Sequence, residues 1–485
     1  MANATAPIMS RFLRREDGGM TILGLYFFLF AAILSALALD SMSIYTARTH
    51  LQVTADSAAH AAIYTRNMKN FTADEAKAAA LEVIETGMPA DDYGEVATTA
   101  RIYFGTYDTA TGIFVDNPTS LDAVRVITSM DGGNGDGGNA LATYLFKLVG
   151  IDDFDLATEA IYTSITPPCL REGFVSQTRT DIQSNNTFSK EFCVHSNGHV
   201  EMNNGNRFEL GTSLSMPDPE DLVAPNIGQN PGAEEALRRG TLRLDVLDQI
   251  ADMKYAYLNP LASDHSPLVK MPDYIKSPVV VSLESGTFVA TDLLPGVIYD
   301  ISCGSEEGLL QKSGGNGDKS APKGGGNGNG GGGNGGGGNG GSGNNALTLT
   351  GSDIFKEMVI VTDCDVVISG GTELHDVRLI TTSTSASSVS GSSGVILGDD
   401  DDCAKGGGVE IYTYGGMRFP AKLNLYGTQL GALGDINFAA NANGVEGASL
   451  IAGGEIDGTS NAKMGLCLND GRPDGFFQPY FRLVR

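Results

Sequence analysis

Twenty consecutive residues, Met20 to Leu39, read MTILGLYFFLFAAILSALAL and carry no charge. As a helix, at 1.5 Å per residue, such a run is about 30 Å long, the thickness of a bilayer's hydrocarbon core. Arg11, Arg14 and Arg15 precede it and Asp40 closes it. Basic residues stay on the cytoplasmic side of a membrane helix. The short N-terminus is therefore expected inside the cell, and everything after Asp40 beyond the membrane. A cleaved secretory signal is the competing reading, with Ala36-Leu37-Ala38 as the cut. Its apolar core normally runs about 7–15 residues, shorter than this one. The run is also apolar all round, unlike a half-buried soluble helix. A retained single-pass anchor over residues 20–39 is the expectation.

The 485 residues are enough for several domains. A net charge of −26 without a basic patch argues against a nucleic-acid partner. All six cysteines (Cys169, Cys193, Cys303, Cys364, Cys403 and Cys467) follow the apolar run. An even number beyond the membrane suits an oxidising periplasm. Sequence proximity suggests Cys169 with Cys193, Cys303 with Cys364, and Cys403 with Cys467.

Residues 1–19 form a polar cytoplasmic tail. Past Asp40 the helical pattern continues. Ile44, Ala47, Leu51, Ala55, Ala58 and Ala62 recur at steps of three and four, one stripe of a helix. The stripe is mostly Ala, so another backbone can approach closely. It is a candidate face for a partner helix, or for the chain's own next domain. Thr72 to Glu75 reads as a capping box opening a second helix that ends at Gly87. Strand-like runs follow at Val96–Tyr107 and Ala123–Ser129. Asn139 reads as the cap of a helix through Leu141, Leu145 and Leu148, and Phe154–Ile165 as a returning strand. Residues 40–168 are thus expected to form a small α+β domain.

From Cys169 the texture changes. Short apolar runs alternate with Asn/Gly turns such as Asn197-Gly198 and Asn204-Gly205. A helix is expected near Ala233 to Tyr257. Ser313 to Asn345 is almost all Gly and Asn and buries nothing, a flexible loop. The suggested Cys303–Cys364 link would bridge its base. Beyond it come runs such as Met358–Val361, Val377–Thr381, Val409–Tyr412 and Ser449–Ala452. Strands this short point to an irregular parallel β-solenoid over residues 169–485, whose stacked coils supply the core. A β-sandwich, with longer strands, is the runner-up. The fold class is membrane-anchored α+β: one N-terminal transmembrane helix, a small α+β domain, then a mainly β domain.

The run Arg14-Arg15-Glu16-Asp17-Gly18-Gly19, the apolar helix, and then Asp40, Tyr45-Thr46-Ala47-Arg48, Leu51-Gln52 and Ala55-Asp56-Ser57-Ala58-Ala59 together resemble the N-terminus of TadG-like proteins. These belong to the TadE/TadG-like family of Flp (Tad) pilus-assembly proteins. The resemblance covers roughly the first third of the chain and is sharpest from Asp40 to Ala62. It implies a bacterial inner-membrane, single-pass component with a structural role in pilus assembly. Its partners would be the lipid bilayer and other Flp/Tad assembly proteins. At Leu23 and Gly24, where pseudopilin-like members carry a processing-linked Glu, this chain has no acid.

No spacing in the chain specifies catalysis, so no enzyme, cofactor or metal is expected. Asp399 to Asp402 reads as a solvated acidic turn, because consecutive acids do not converge on one ion. Cys193, His195 and His199, with Glu201 near, match no common zinc spacing. Gly132-Gly133-Asn134-Gly135-Asp136 reads as a loop. A membrane-tethered glycan-binding or glycan-cleaving protein is the alternative function. Tyr412, Tyr414 and Tyr426 are its candidate stacking residues, and acids converging in one groove would favour it. An adhesin displayed outside the cell is a third, weaker reading.

Overall fold

The computed structural model describes residues 18–69, 71–133, 138–165, 167–262, 266, 269–304, 346–458, 461–467 and 479–485. The tail up to residue 17, with its arginines, lies outside the described residues. So do the Gly/Asn loop 313–345 and residues 134–136 of the Gly132–Asp136 loop. The chain divides into two units: Met1–Ile165 with Pro479–Arg485, and Thr166–Gln478.

The first unit is built on α1, Gly18–Met68, a single helix of 51 residues. Its apolar half is exposed except at Ala36, which is partly covered. Its second half is one wall of a core. Helix α2 (Ala73–Gly87) opens with the expected capping box, Thr72 and Glu75 each satisfying the other's backbone amide. It packs Ala76, Ala80 and Ile84 into the same core. The other wall is an antiparallel sheet. Its strands are β1 (Ile102–Asp108), β2 (Ile113–Asp116), β3 (Ala123–Met130), β4 (Leu156–Ile165) and the C-terminal strand Tyr480–Leu483. Their spatial order is β2-β1-β3-β4-C-terminal strand.

Three expectations are corrected here. Leu51, Ala55, Ala58 and Ala62 are fully buried, and Ala47 packs at the edge of the same cluster. With the small residues letting α2, β3 and β4 come close, most of the stripe is filled by its own domain. It is not a free face for a partner helix; Ile44 and Ala47, near its membrane end, stay partly exposed. Next, Leu141, Leu145 and Leu148 do not lie on a helix. Leu141–Ala142 pairs with Asp153–Phe154 in a hairpin whose loop holds a short 3-10 turn, Phe146–Val149. Asn139 caps nothing: its side chain bonds the backbone of Asp131, Tyr93 and Glu95 instead. Finally, the chain end does not belong with the β-rich residues 169–478. Tyr480 to Leu483 pairs antiparallel with Ile165 to Tyr162 and closes the edge of the α+β sheet.

The second unit is a parallel β-solenoid of about 12 turns. Among the described residues every ladder in it is parallel, which excludes the sandwich of antiparallel strands. The coils do not stack in chain order. The chain enters at Gly173–Ser176 and winds outward through Cys193–Ser196, Ser213–Met216 and Leu237–Arg239. It then crosses back and starts again at Val280–Glu284. From there the coils run to Ser449–Ala452, which pairs with Gly173–Ser176. The last coil thus lies on the first. One inward row crosses this junction without a break: Leu430, Leu450, Phe174, Val194, Leu214. All are buried. No coil closes a core alone, and the stack makes it.

A corner of the stack is held by asparagines. The Asn186 amide donates to Asn206 Oδ1 at 3.0 Å, and the Asn206 amide to Asn230 Oδ1 at 2.9 Å. Across the junction, the Ala462 amide donates to Asn186 Oδ1 at 3.1 Å. The return crossing carries α3 (Ile250–Leu258), which packs on strands Ile298–Ser302, Ile354–Thr362 and Glu373–Thr381. The single helix expected near 233–257 is divided into Ala233–Ala236, Asp245–Asp248 and α3, with strand Leu237–Arg239 between. Beneath the crossing Arg378 and Glu410 form a buried ion pair at 3.0 Å. Arg378 also donates to the Tyr257 hydroxyl at 2.7 Å, and burial pushes Tyr257 up to about 12.

Asn206→Ala leaves the buried amide of Asn186, on the preceding coil, without its acceptor. It should lower the stability of the solenoid by about 1–3 kcal/mol, measured by denaturant unfolding of the full chain in detergent. Leu210→Ala, at a residue 89% exposed, should change it by less than about 0.5 kcal/mol.

Candidate functional site

The membrane end of α1 is where the first unit departs from ordinary soluble packing. Residues 21–35 and 37–39 are all exposed, and Asp40, the next residue, is 1% exposed. Its carboxylate accepts three backbone N–H groups of the hairpin loop: Tyr144 at 2.7 Å, Leu145 at 3.0 Å and Phe146 at 2.7 Å. A 3-10 turn leaves its first amides without internal partners, and a carboxylate is the strongest side-chain acceptor for them. Asp40 caps that turn from a different element. Burial alone would raise its pKa, but the three amides outweigh it and hold the carboxyl below the usual range. The loop is thereby pinned at the level where the apolar run ends.

Further along α1, polar side chains tie the helix to the sheet. The Gln52 side-chain amide donates to Asp56 at 2.8 Å and to the Glu159 carbonyl of β4 at 3.1 Å. Arg66 donates to the carbonyls of Pro118 and Ser120 and lies over the Phe104 ring. Between α1 and α2 an open groove of about 550 Å³ remains, lined by His50, Val53, Ser57, Val83, Thr86 and Tyr93 among others.

The solenoid brings the other sequence candidates to rest as follows. Disulfides join Cys169–Cys193, Cys303–Cys364 and Cys403–Cys467, the pairs that proximity suggests. Cys193 is thus consumed. His195 is buried between Ser215 and Asn197, at 2.8 and 3.0 Å, and desolvation lowers its pKa and favours the neutral ring. Among the described residues, Cys303, Asp363 and Cys364 have the spacing of a metal cluster, but both sulfurs sit in a disulfide. In the acidic turn, Asp401 caps the Ala404 amide, and Asp402 and Cys403 take left-handed backbone. Nearby Glu446 is raised by burial and by Asp400 and Asp402. At the Gly132 loop, Asp155 and Asp131 accept the amides of Gly132 and Gly133. Tyr412 is buried, its hydroxyl donating to Gln429, and so offers no stacking surface; Tyr414 and Tyr426 are half-buried.

One cluster escaped the sequence. Arg179 contacts Glu455 at 2.7 Å, Glu201 at 3.0 Å and Asp181 at 3.7 Å. Its members come from three stacked coils, the junction included. Only the register reveals it. The acids converge on Arg179, an internal counter-charge, and Asp181 is raised by burial and by its acidic neighbours. The arrangement is a ladder of three carboxylates sharing one guanidinium, which offsets their charge only in part.

Asp40 gives a testable expectation. Asp40→Ala should raise hydrogen exchange of the Tyr144, Leu145 and Phe146 amides about tenfold or more, given that charged hydrogen bonds contribute about 1.5–3 kcal/mol, with α1 intact. Because the carboxyl is lowered in the folded state, the clamp is complete above the ordinary value of about 3.9. It is lost as pH falls through the lowered value, and a rise from neutral pH leaves it unchanged. Exchange of these amides followed against pH checks the sign.

Two family models match the chain. The Tad model, TadE/G-like Flp pilus assembly, covers residues 18–80, which is α1 and the first half of α2. That match supports a general role in pilus assembly, and with the exposed apolar run it makes this a single-pass membrane protein. No curated protein and no solved structure matches the chain. The second model covers residues 173–320 and 339–468, the solenoid from its entry to its exit. Over more than half its length, then, the chain belongs to the family described as Domain of unknown function (DUF7867).

Proposed function

We propose that this protein is an inner-membrane-anchored scaffold of Flp/Tad pilus assembly, with no catalytic role of its own. The observation that carries the reading is the Tad match over a helix that is apolar and exposed at one end and docked into a folded domain at the other. Such a helix fixes a domain at a membrane. On this reading the N-terminus is cytoplasmic and both units are periplasmic, where the disulfides persist. The solenoid supplies a rigid stapled surface, and the partners are other assembly proteins. The glycan reading has less to stand on, since Tyr412 is buried and the acids stacked at Arg179 are spent on an internal ion pair network.

The test is photocrosslinking in cells carrying the pilus system, from Val53 in the full-length chain. Val53 is 57% exposed and lines the groove between α1 and α2. Recovery of other pilus-assembly proteins is expected. Recovery of cell-wall glycan, or of nothing but the chain itself, would contradict the assembly role.

A further inference from the structure

The hairpin loop that Asp40 holds has an unusual surface. Tyr144 is 64% exposed, Leu148 79% and Val149 75%, and Ile151 is exposed beside them. Lone exposed apolar residues are ordinary on a protein surface. Here four fall within eight residues, on one loop, around a 3-10 turn.

Their level on α1 is fixed. The amides of residues 144–146 lie within hydrogen-bond distance of Asp40, the first residue past the apolar run. Ala36 lies one turn, about 6 Å, further into that run on the same face. Among residues 21–39 it alone is partly covered. The apolar tip is thus continuous with the exposed surface of the membrane-spanning helix. The charges are ordered to match. Lys147 sits at the tip, whereas Asp152, Asp153 and Asp155 stand at the root of the hairpin. A cation at headgroup level is favoured by anionic lipid, and acids behind it resist deeper entry.

We propose that residues 144–151 are a membrane foot: a monotopic loop that enters the interface of the same bilayer that α1 spans. Its contact with lipid fixes how deep and at what rotation the helix sits. Asp40 transmits this, because it ties the foot to the helix through backbone bonds. An isolated span is free to tilt and rotate; one with a second interfacial contact off its axis is not. The inference rests on α1 spanning the bilayer, and the experiment separates the two claims.

The chain contains no Trp, so single substitutions give clean fluorescent reporters. The full chain is placed in vesicles of phosphatidylcholine and phosphatidylglycerol with brominated acyl chains. Three variants are compared: Leu148→Trp in the foot, Leu29→Trp in the span, and Leu210→Trp on the solenoid. The foot predicts that L148W emits at shorter wavelength than L210W and loses at least half its emission to the bromolipid. L29W should be quenched too, and L210W by aqueous iodide only. If L148W is open to iodide while the bromolipid quenches L29W, the foot is wrong and the apolar face belongs to a protein partner. Quenching of neither by the bromolipid would overturn the span as well.

Discussion

The pairing of Ser449–Ala452 with Gly173–Ser176 decides the shape of the second unit. Leu450 stacks on Phe174, so the last coil of the chain is sealed by the first. Both are interior coils, flanked on each side. The points of entry and exit are therefore neighbours: Glu172 accepts the Cys467 amide at 2.8 Å, and disulfides tie Cys169 to Cys193 of the next coil and Cys467 to Cys403 of an earlier one. A chain that leaves where it entered can return to the sheet it came from. The C-terminal strand does so on β4, setting Phe481 against His60 and Tyr64 of α1. In chain order, the solenoid is inserted between β4 and the C-terminal strand of the α+β domain.

That arrangement needs a crossing from one end of the stack to the other, and the crossing carries the cost of a buried charge pair. Arg378 and Glu410 are almost without solvent under α3. Buried pairs seldom add stability over apolar residues of equal volume, since both ions lose their water. Here the guanidinium spreads over Glu410, Tyr257 and the Lys270 carbonyl. Such a pattern is met only when the crossing lies in one place, which gives the pair a role in selecting where the strap docks.

Legibility followed the range of the interactions. The apolar run and the capping box at Thr72–Glu75 rest on neighbours in sequence, and each stands in the structure; of the short strands, Val409–Thr413 and Ser449–Ala452 stand, whereas Ile354–Thr362 and Ile436–Glu446 run to 9 and 11 residues. The disulfides lie between residues close enough in the chain for proximity to suggest them. What misled was equal spacing with another cause. Leu141, Leu145 and Leu148 have a helical period, yet Leu148 points to solvent and Asp40, a hundred residues earlier, shapes the loop. The Ala stripe was legible as a docking face, but nothing in its spacing says that β3 and β4 fill it. The Arg179 ladder and the return of the C-terminal strand depend on coil register and were out of reach.

The most direct test is hydrogen exchange of the full chain in nanodiscs, read at peptides 173–188 and 449–465. If the first coil seals the last, both should be as protected as the central coils around 377–381 and 409–413, because the amides of Gly173, Gln177 and Thr187 donate across the junction. If the coils stacked in chain order, these two peptides would be the open ends of the solenoid. Fast exchange in both would then contradict the account.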